Sequence, residues 1–312
     1  MLSIQDHEIR SLISMGDAIN CIEQGFSDFY DGIFTMPQRS TMEVGGATVL
    51  SMPSYRNNGK YFTIKVVSVF QSSIKKTSKM IQSSILVFGS KDGRLKASID
   101  GDEITAIRTG AASGLATKFF SPLKSNTVAV FGTGSQAVTQ IEAVMHVRPI
   151  DTVFVFSRSS KSAKDFSKYL SETLSIKVTP GILKDLKEVD IICTATPSKK
   201  ELIILSSLKK GVHINAIGSF KPNMREVSND IIKNSRVIVD SIISCKKEAG
   251  DLIQAEKHSS WQFKDIFSEL GSIAKDKKLS KENIRQNSLF KSVGLGFQDL
   301  VITELLLKKL GK

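Results

Sequence analysis

The stretch Thr127-Val-Ala-Val-Phe131 runs directly into the glycine turn Gly132-Thr-Gly134-Ser-Gln-Ala137, and this junction is the strongest indication of the fold. Apolar residues at 128, 130 and 131 predict a buried parallel strand, and apolar residues at 137, 141, 144 and 145 recur at helical spacing. A second strand, Thr152–Phe156, closes a unit of about 30 residues, as a βαβ crossover requires. The pattern predicts an α/β, Rossmann-type dinucleotide-binding domain.

The small residues of the turn each have a physical role in holding a dinucleotide. Gly132 permits the tight turn, Gly134 lets the backbone approach a pyrophosphate, and Ala137 lets the helix pack closely on the strand. The phosphates would then lie on the free N–H groups of the helix N-terminus. We therefore assign the cofactor site to Gly132, Thr133, Gly134, Ser135, Gln136 and Ala137; a strand-turn-helix without a ligand is the alternative.

The residues that follow the second strand indicate which dinucleotide is bound. NAD-binding units usually carry Asp or Glu there to bond the ribose hydroxyls. This chain has Ser157-Arg158-Ser159 instead. A guanidinium and two hydroxyls suit a 2′-phosphate, so the sequence favours NADP(H), with NAD(H) as the second choice. A solvated basic loop without a ligand is the alternative.

Composition bounds the class of protein. The chain has 312 residues and is 41% hydrophobic, which suits a two-domain enzyme. Neither a signal peptide nor an apolar run of about 18 residues is evident, so we expect no membrane partner. Three widely spaced cysteines indicate reduced thiols and a cytoplasmic location, and no histidine spacing predicts a metal site.

The net charge of +12 raises the question of nucleic-acid binding. The lysines occur as scattered pairs without interleaved aromatic residues or a known docking motif, so we expect no nucleic-acid partner. A positive surface also suits an anionic small-molecule substrate together with a dinucleotide.

The remaining segments predict a second domain. Strands are predicted at 47–52, 61–70 and 81–88, and helices at 6–14, 15–31 and 102–119. Later strands at 189–194, 212–217 and 236–240 extend the parallel sheet, and an amphipathic helix is expected at 295–310. We predict an α+β substrate and dimerisation domain over 1–115, to which 295–312 returns, and a Rossmann domain over 116–294.

Three cations of the first domain are candidate ligands for a carboxylate. Arg39 follows a stiff Pro37 segment, Lys65 lies on a predicted strand face shared with apolar residues, and Arg108 lies in a helix of small residues. Each cation alone is more often a surface or ion-paired residue. Spacing does not establish whether the three converge.

The order of several motifs resembles the ornithine cyclodeaminase/mu-crystallin family over essentially the whole chain. The matching segments are Met36-Pro-Gln-Arg39, Ile64-Lys-Val-Val67, Ile104-Thr-Ala-Ile-Arg-Thr109, Gly132 to Ala137, Thr194-Ala-Thr-Pro197, Asn215 to Pro222, Glu248-Ala-Gly-Asp-Leu252 and Ser292-Val-Gly294. The resemblance implies a homodimer, in which the β-structure of the first domain completes a barrel, and a role in amino-acid and proline metabolism.

The same resemblance implies roles for individual residues. Arg39, Lys65 and Arg108 would bind the carboxylate of an amino or imino acid, with Lys65 and Arg108 at the catalytic centre. The cofactor would contact residues beyond the glycine turn: Thr109, Ser157, Arg158, Ser159, Thr194, Ala195, Thr196, Gly218, Ser292 and Gly294. Val293 would join Ser292 and Gly294 in closing over the nicotinamide.

One departure from the cyclodeaminase pattern bears on the reaction. Cyclodeaminases carry an Asp two residues past the glycine of the segment at Gly218, whereas this chain has Phe220. A phenyl ring accepts no proton, so deamination lacks its expected base. The motif resembles the branch that reduces cyclic ketimines such as 1-pyrroline-2-carboxylate, or its six-membered homologue, with NAD(P)H. The alternatives are an ornithine cyclodeaminase, an alanine dehydrogenase, and a mu-crystallin-like protein that binds NADPH and a carboxylate without turnover.

Overall fold

The computed structural model describes residues 2–70, 81–278 and 286–312. The chain forms two compact units. Unit 1 comprises the residues up to Arg108 together with Leu295–Lys312, and unit 2 is Thr109–Gly294. The helix Gly101–Phe120 crosses the boundary between them, and the boundary predicted after residue 115 falls inside this helix. No helix within the described ranges is long and apolar enough to cross a membrane.

The elements of unit 1 are β1 (Leu2–Ile4), α1 (Asp6–Leu12), α2 (Met15–Tyr30), β2 (Phe34–Thr35), β3 (Ser40–Val44), β4 (Ala47–Arg56), β5 (Tyr61–Val69), β6 (Ile81–Gly89), β7 (Leu95–Asp100), the first part of α3 (Gly101–Phe120) and α10 (Gly296–Lys309). The strands form a mainly antiparallel sheet with the order β1-β7-β6-β5-β4-β2, in which β3 also pairs with β4. Helix α10 packs against α2 and on strands β4 and β5.

Helix α10 differs from the predicted amphipathic helix. Its residues from Gly296 to Thr303 are all buried, so the first two turns have no solvent-exposed face. Phe297 lies among three aromatic rings, with centroid distances of 5.1 Å to Phe26, 4.9 Å to Phe29 and 5.2 Å to Phe34. A helix that packs on other elements all round needs no polar stripe, and the prediction of amphipathicity was wrong for this half of the helix.

The elements of unit 2 are the rest of α3, β8 (Thr127–Phe131), α4 (Ser135–Val147), β9 (Thr152–Phe156), α5 (Ser160–Leu174), β10 (Lys177–Pro180), β11 (Ile191–Thr194), β12 (Lys199–Ile203), β13 (His213–Ala216), β14 (Arg225–Val227), α6 (Asn229–Lys233), β15 (Ser235–Val239), α7 (Ile242–Glu248), α8 (Gly250–His258), β16 (Ser268–Glu269), α9 (Leu270–Lys275) and β17 (Asn287–Lys291), with 3₁₀ turns at Leu183–Lys187, Leu205–Ser207 and Phe263–Asp265. The main sheet is parallel and has the strand order β10-β9-β8-β11-β13-β17-β15-β16. A short pair, β12 with β14, lies apart from this sheet.

Helices cover both faces of the parallel sheet. On one face, Ile141 of α4 and Leu170 of α5 pack against Val128 and Val153. On the other face, the core around Ile214 includes side chains of α6, α7 and α8. Burial on both faces explains why these strands read as nearly continuous apolar runs. The predicted α/β fold with a Rossmann-type parallel sheet is confirmed.

Candidate active site

The predicted cofactor residues of unit 2 lie in loops at one edge of the parallel sheet. Because neighbouring strands run in the same direction, their carboxyl ends share an edge. The chain order changes direction at β8, which pairs with β9 on one side and β11 on the other, and ligands of open α/β sheets bind at such a switch point. The segments at this edge are Gly132–Gly134 after β8, Ser157–Ser159 after β9, Thr194–Thr196, which begins with the last residue of β11, Gly218 after β13 and Ser292–Gly294 after β17.

The glycine turn after β8 has the shape that a dinucleotide requires. Gly132 has φ +112°, and a Cβ there would lie 2.6 Å from the Ala195 carbonyl oxygen, so this position demands glycine. Gly134 is the N-cap of α4, and no side chain caps the helix. A Cβ on Gly134 would meet no atom within 4 Å, so open space lies next to the helix N-terminus. The turn therefore fits a pyrophosphate, with Thr133, Ser135 and Gln136 beside it and Ala137 buried against the sheet.

Gly218 lies against the loop that contains Thr194, Ala195 and Thr196. A Cβ on Gly218 would come within 2.3 Å of the Thr196 backbone nitrogen, so only glycine fits this approach. The Gly218 N–H donates to Oε2 of Glu226 at 2.8 Å. Glu226 also accepts from both threonines, so it connects the two loops.

The segment Ser292–Gly294 is held by the buried carboxylate of Asp240. Oδ2 of Asp240 accepts hydrogen bonds of 2.8 Å from the Ser292 hydroxyl, the Val293 N–H and the Gly294 N–H. Gly294 has φ +82°, in the region that favours glycine. Sequence reasoning missed Asp240 and Glu226. A carboxylate at or next to a buried strand end is a weak signal, because its partners lie far away in the sequence.

The loop after β9 exposes Ser157, Arg158 and Ser159 to solvent. Ser159 caps α5, since its hydroxyl oxygen accepts from the Ser162 N–H at 3.2 Å. Arg158 has no hydrogen-bond or ion-pair partner among the described residues, so its guanidinium remains available for an anion. Thr109, the first residue of unit 2, is buried, and its carbonyl accepts from the Gln140 side chain at 3.3 Å.

In unit 1 the structure brings two of the predicted cations together on a carboxylate that the sequence analysis did not assign. Nζ of Lys65 donates to Oδ1 of Asp299 at 2.9 Å, and Nε of Arg108 donates to the same oxygen at 3.3 Å. NH1 of Arg108 donates to the Gln298 side-chain oxygen at 3.0 Å. All four side chains are at least nine-tenths buried. Asp299 thus fixes the orientation of both cations.

A signal for Asp299 is present in the sequence. It lies in Gly296-Phe-Gln-Asp-Leu-Val-Ile302, where a carboxylate within an apolar helical run requires a buried cationic partner. Because the first turns of this helix are buried on all sides, the partner had to come from another element. That element is β5, whose residues Thr63 and Lys65 face α10.

The electrostatics of this cluster affect Lys65 most strongly. The pKa of Lys65 is lowered to about 8: burial is the largest cause, the charges of Arg108 and Arg39 act in the same direction, and Asp299 opposes them. Arg39 lies between β2 and β3, and its effect on the Lys65 pKa indicates that its guanidinium is within electrostatic range of the ammonium. With Asp299 offsetting one of three positive charges, the cluster retains a net positive charge suited to a carboxylate ligand.

Comparison with known proteins identifies the family. The model for the ornithine cyclodeaminase/mu-crystallin family matches residues 2–311. The chain belongs to the ornithine cyclodeaminase/mu-crystallin family. The resemblance found in the sequence motifs is therefore confirmed.

Individual relatives of this family cover nearly the whole chain. Delta(1)-pyrroline-2-carboxylate reductase from a strain of Bacillus cereus is 33% identical over 99% of this chain and 96% of its own length. The solved structure of Thermococcus litoralis Delta(1)-pyrroline-2-carboxylate reductase in complex with NADH and L-proline has a TM-score of 0.93 at 33% identity, covering 99% and 97% of the two chains. An archaeal alanine dehydrogenase dimer with bound NAD has a TM-score of 0.92 at 26% identity, covering 99% and 95%.

The affinity of the protein for a carboxylate ligand should depend on pH, because the charge of Lys65 depends on pH. The ammonium is charged below a pH of about 8 and loses its proton above it, so affinity should fall as pH rises through that value. The probe is pyrrole-2-carboxylate, a planar ligand whose ring nitrogen is not basic, titrated by calorimetry. Asp299→Asn removes the charge that raises the Lys65 pKa and should move the midpoint to lower pH.

Lys65→Met is the matched control for this titration, because it keeps the length of the side chain without its charge. Its affinity should be weaker and independent of pH over the same range. A native affinity that stays constant from about pH 6.5 to 9.5 would show that Lys65 does not contact the ligand as a titrating cation.

Proposed function

We propose that the chain is an NAD(P)H-dependent reductase of cyclic ketimine carboxylates, converting 1-pyrroline-2-carboxylate to L-proline and the six-membered 1-piperideine-2-carboxylate to L-pipecolate. The observation that carries this proposal is the buried cluster of Lys65, Arg108 and Asp299, with Arg39 in electrostatic range. It occurs in a chain that is 33% identical, over nearly its full length, to pyrroline-2-carboxylate reductases.

The cluster holds the substrate by its carboxylate. The guanidinium of Arg108 is oriented by Asp299 and Gln298, which leaves part of its planar donor set for a substrate oxygen. Lys65 supplies an ammonium fixed by the same Asp299, and Arg39 supplies a further charge. Such fixed donors hold the imine carbon in one position, and the reaction depends on that positioning.

The dinucleotide is held by the turn Gly132–Gly134, the N-terminus of α4 and the neighbouring loops. A reduced nicotinamide bound there would supply the hydride that reduction of a protonated imine requires. The chain contributes rigidity, because the carboxylates of Glu226 and Asp240 hold the buried Thr194 and Ser292 in place.

Reduction is favoured over deamination because of the residue at position 220. Phe220 is half-buried in the segment after β13, two residues past Gly218. It can neither take up nor release a proton. The loss of ammonia from an amino acid would require a base at this position, whereas hydride addition to an imine does not.

A panel of substrates tests the assignment with the unmodified protein. Consumption of NADPH, followed by the absorbance of the reduced nicotinamide, should be fastest with 1-pyrroline-2-carboxylate or 1-piperideine-2-carboxylate. Ornithine with NADP⁺ should release no ammonia. Ammonia and proline formed together, at a rate comparable with imine reduction, would replace the reductase assignment by a cyclodeaminase.

An alanine dehydrogenase is the second candidate, favoured by the 26% identity to the archaeal enzyme. It would use the same cations to bind the carboxylate of pyruvate, with ammonia as the second substrate. The panel separates the two candidates, since pyruvate plus ammonia should be a poor substrate for a cyclic imine reductase. A higher kcat/KM with pyruvate and ammonia would favour the second candidate.

We further propose that NADP(H) is preferred over NAD(H). The support is local: Arg158 is exposed and has no partner among the described residues, and no acid follows β9 to bond the ribose hydroxyls. A guanidinium between two serines suits the 2′-phosphate. The Thermococcus litoralis relative was solved with NADH, so NADH is expected to work as a weaker cofactor.

Arg158→Asp should reverse or abolish this preference. The change replaces an attraction to the 2′-phosphate by a repulsion, so the ratio of kcat/KM for NADPH to that for NADH should fall by about tenfold or more. Lys168→Glu is the control, because it makes the same change of charge at an exposed position of α5. Equal kcat/KM values for the two cofactors with the unmodified protein would contradict the proposal.

We also propose that the protein is a homodimer formed through the sheet of unit 1. Lys65 faces α10, so alternate residues of β5 point to the opposite face. Phe62 stacks on Phe88 of β6 with a centroid distance of 5.0 Å, and Ile64 pairs with Leu86. This face is apolar and only half-buried, as expected for a surface covered by a second copy.

Ile64→Glu should convert the dimer to a monomer, because it places a charge in the centre of the apolar face. Light scattering after gel filtration should give twice the chain mass of 34.2 kDa for the native protein and a single chain mass for the variant. Tyr169→Glu, at an exposed position of α5, is the control and should remain dimeric. A monomeric native protein would refute the proposal.

A further inference from the structure

Glu226 is a fully buried carboxylate at the carboxyl edge of the unit 2 sheet. Its Oε1 accepts from the Thr196 N–H and the Thr196 hydroxyl, both at 2.7 Å. Its Oε2 accepts from the Thr194 hydroxyl at 2.9 Å and from the Gly218 N–H at 2.8 Å. All four donors belong to the two loops that follow β11 and β13, where part of the proposed cofactor site lies.

A second set of contacts fixes Glu226 itself. Oδ1 of Asp251 accepts from the backbone N–H groups of Glu226 at 2.7 Å and Val227 at 3.0 Å. Nζ of Lys291 donates to Oδ2 of the same Asp251 at 3.0 Å. Lys291 is the last residue of β17 and directly precedes Ser292. The hydrogen-bond network therefore extends to the Ser292–Gly294 segment that follows β17.

We infer that Glu226 is a positioning residue for the dinucleotide: its ionised carboxylate holds the 194–196 loop and the Gly218 turn in the arrangement that receives the cofactor. The inference rests on the proposed function, because that proposal assigns Thr194, Thr196 and Gly218 to the cofactor. Glu226 acts through these residues.

The ionised form is favoured because four donors point at two oxygens. The N–H groups of Thr196 and Gly218 are backbone donors and cannot be redirected by rotating a side chain, and each oxygen also receives one threonine hydroxyl. On protonation the carboxyl group carries an O–H, so the threonine hydroxyl at that oxygen has to rotate and accept instead of donating. Protonation should therefore loosen at least one of the two loops.

The charged groups that face Glu226 are Asp251 of α8 and Lys291 of β17. The pKa of Glu226 is raised from 4.5 to about 7: burial is the largest cause, Asp251 acts in the same direction, and Lys291 and the hydrogen bonds from Thr196 oppose them. Since the folded state has the higher pKa, protonation of Glu226 stabilises the fold as pH falls from about 7 towards 4.5. Dinucleotide affinity should fall over the same interval, opposite in sign to the effect on stability.

The experiment measures binding of NAD⁺ to the full chain by calorimetry, from about pH 5.5 to 8.5, a range in which NAD⁺ keeps its charge. Native affinity should weaken as pH falls through about 7. Glu226→Gln should bind about tenfold more weakly at pH 8, since an amide nitrogen cannot accept from these donors, and its affinity should not vary with pH.

Asp190→Asn is the matched control. Asp190 accepts from the Asn126 N–H at 2.8 Å, the Thr127 N–H at 3.1 Å and the Thr127 hydroxyl at 2.9 Å, at the opposite, amino end of the same sheet. This variant loses comparable hydrogen bonds and should keep the native affinity for NAD⁺. An equal loss of affinity in both variants would show general destabilisation and overturn the inference.

The remaining outcomes separate the inference from the proposed function. If the native protein binds NAD⁺ and Glu226→Gln binds it equally well, the inference fails and the proposed function stands. If circular dichroism shows that Glu226→Gln does not fold, the native titration decides, because an affinity that does not change with pH would overturn the inference. A native protein that binds neither NAD⁺ nor NADP⁺ would overturn the proposed function itself.

Discussion

Charged groups buried away from water have to be paired or hydrogen-bonded, and the candidate site residues of both units are arranged around carboxylates that meet this constraint. In unit 1, Asp299 holds Lys65 and Arg108. In unit 2, Glu226 and Asp240 accept from loop N–H and hydroxyl groups at the edge of the parallel sheet. Burying any of these carboxylates without a partner would cost free energy. Here the surrounding cations or hydrogen-bond donors stabilise each carboxylate, and the carboxylate in turn holds those groups in place.

This arrangement assigns different tasks to charges of opposite sign. The cations retain an excess of positive charge around Lys65, which suits an anionic ligand. The carboxylates Glu226 and Asp240 are saturated by donors from the protein, so they act on the loops and remain apart from the ligand. A site built in this way is preorganised, because the donors are already fixed before a ligand arrives.

Features that depend on residues close together in the sequence could be predicted, whereas features that depend on residues far apart in the sequence could not. Strands Thr127–Phe131 and Thr152–Phe156 have the predicted bounds, because burial on both faces and the glycine turn are local signals. Asp299 was missed because its partner Lys65 is 234 residues away in the chain. The amphipathic pattern expected for the last helix was wrong because the packing around Phe297, which is not a local property, covers the first turns on all sides.

The candidate cofactor residues and the carboxylates beside them illustrate the same limit. Gly132 and Gly134 could be recognised because two glycines at a strand-to-helix turn, inside a βαβ unit, are typical of a dinucleotide site. Glu226 and Asp240 carry no comparable motif, since a single carboxylate in or next to a strand is usually solvated. Only the fold shows that their donors come from several separate loops.

Position 220 shows how one scaffold can support different reactions. The backbone before it is fixed by Ser219, whose hydroxyl donates to the Met224 carbonyl and accepts from the Asp251 N–H. The side chain of Phe220, by contrast, is only half-buried. Because the hydrogen bonds that fix the segment do not involve this side chain, an exchange between a phenyl ring and a carboxylate changes the available proton chemistry while the loop keeps its shape. Membership of the family therefore determines the fold, whereas the reaction can differ through a few such side chains that the scaffold leaves unconstrained.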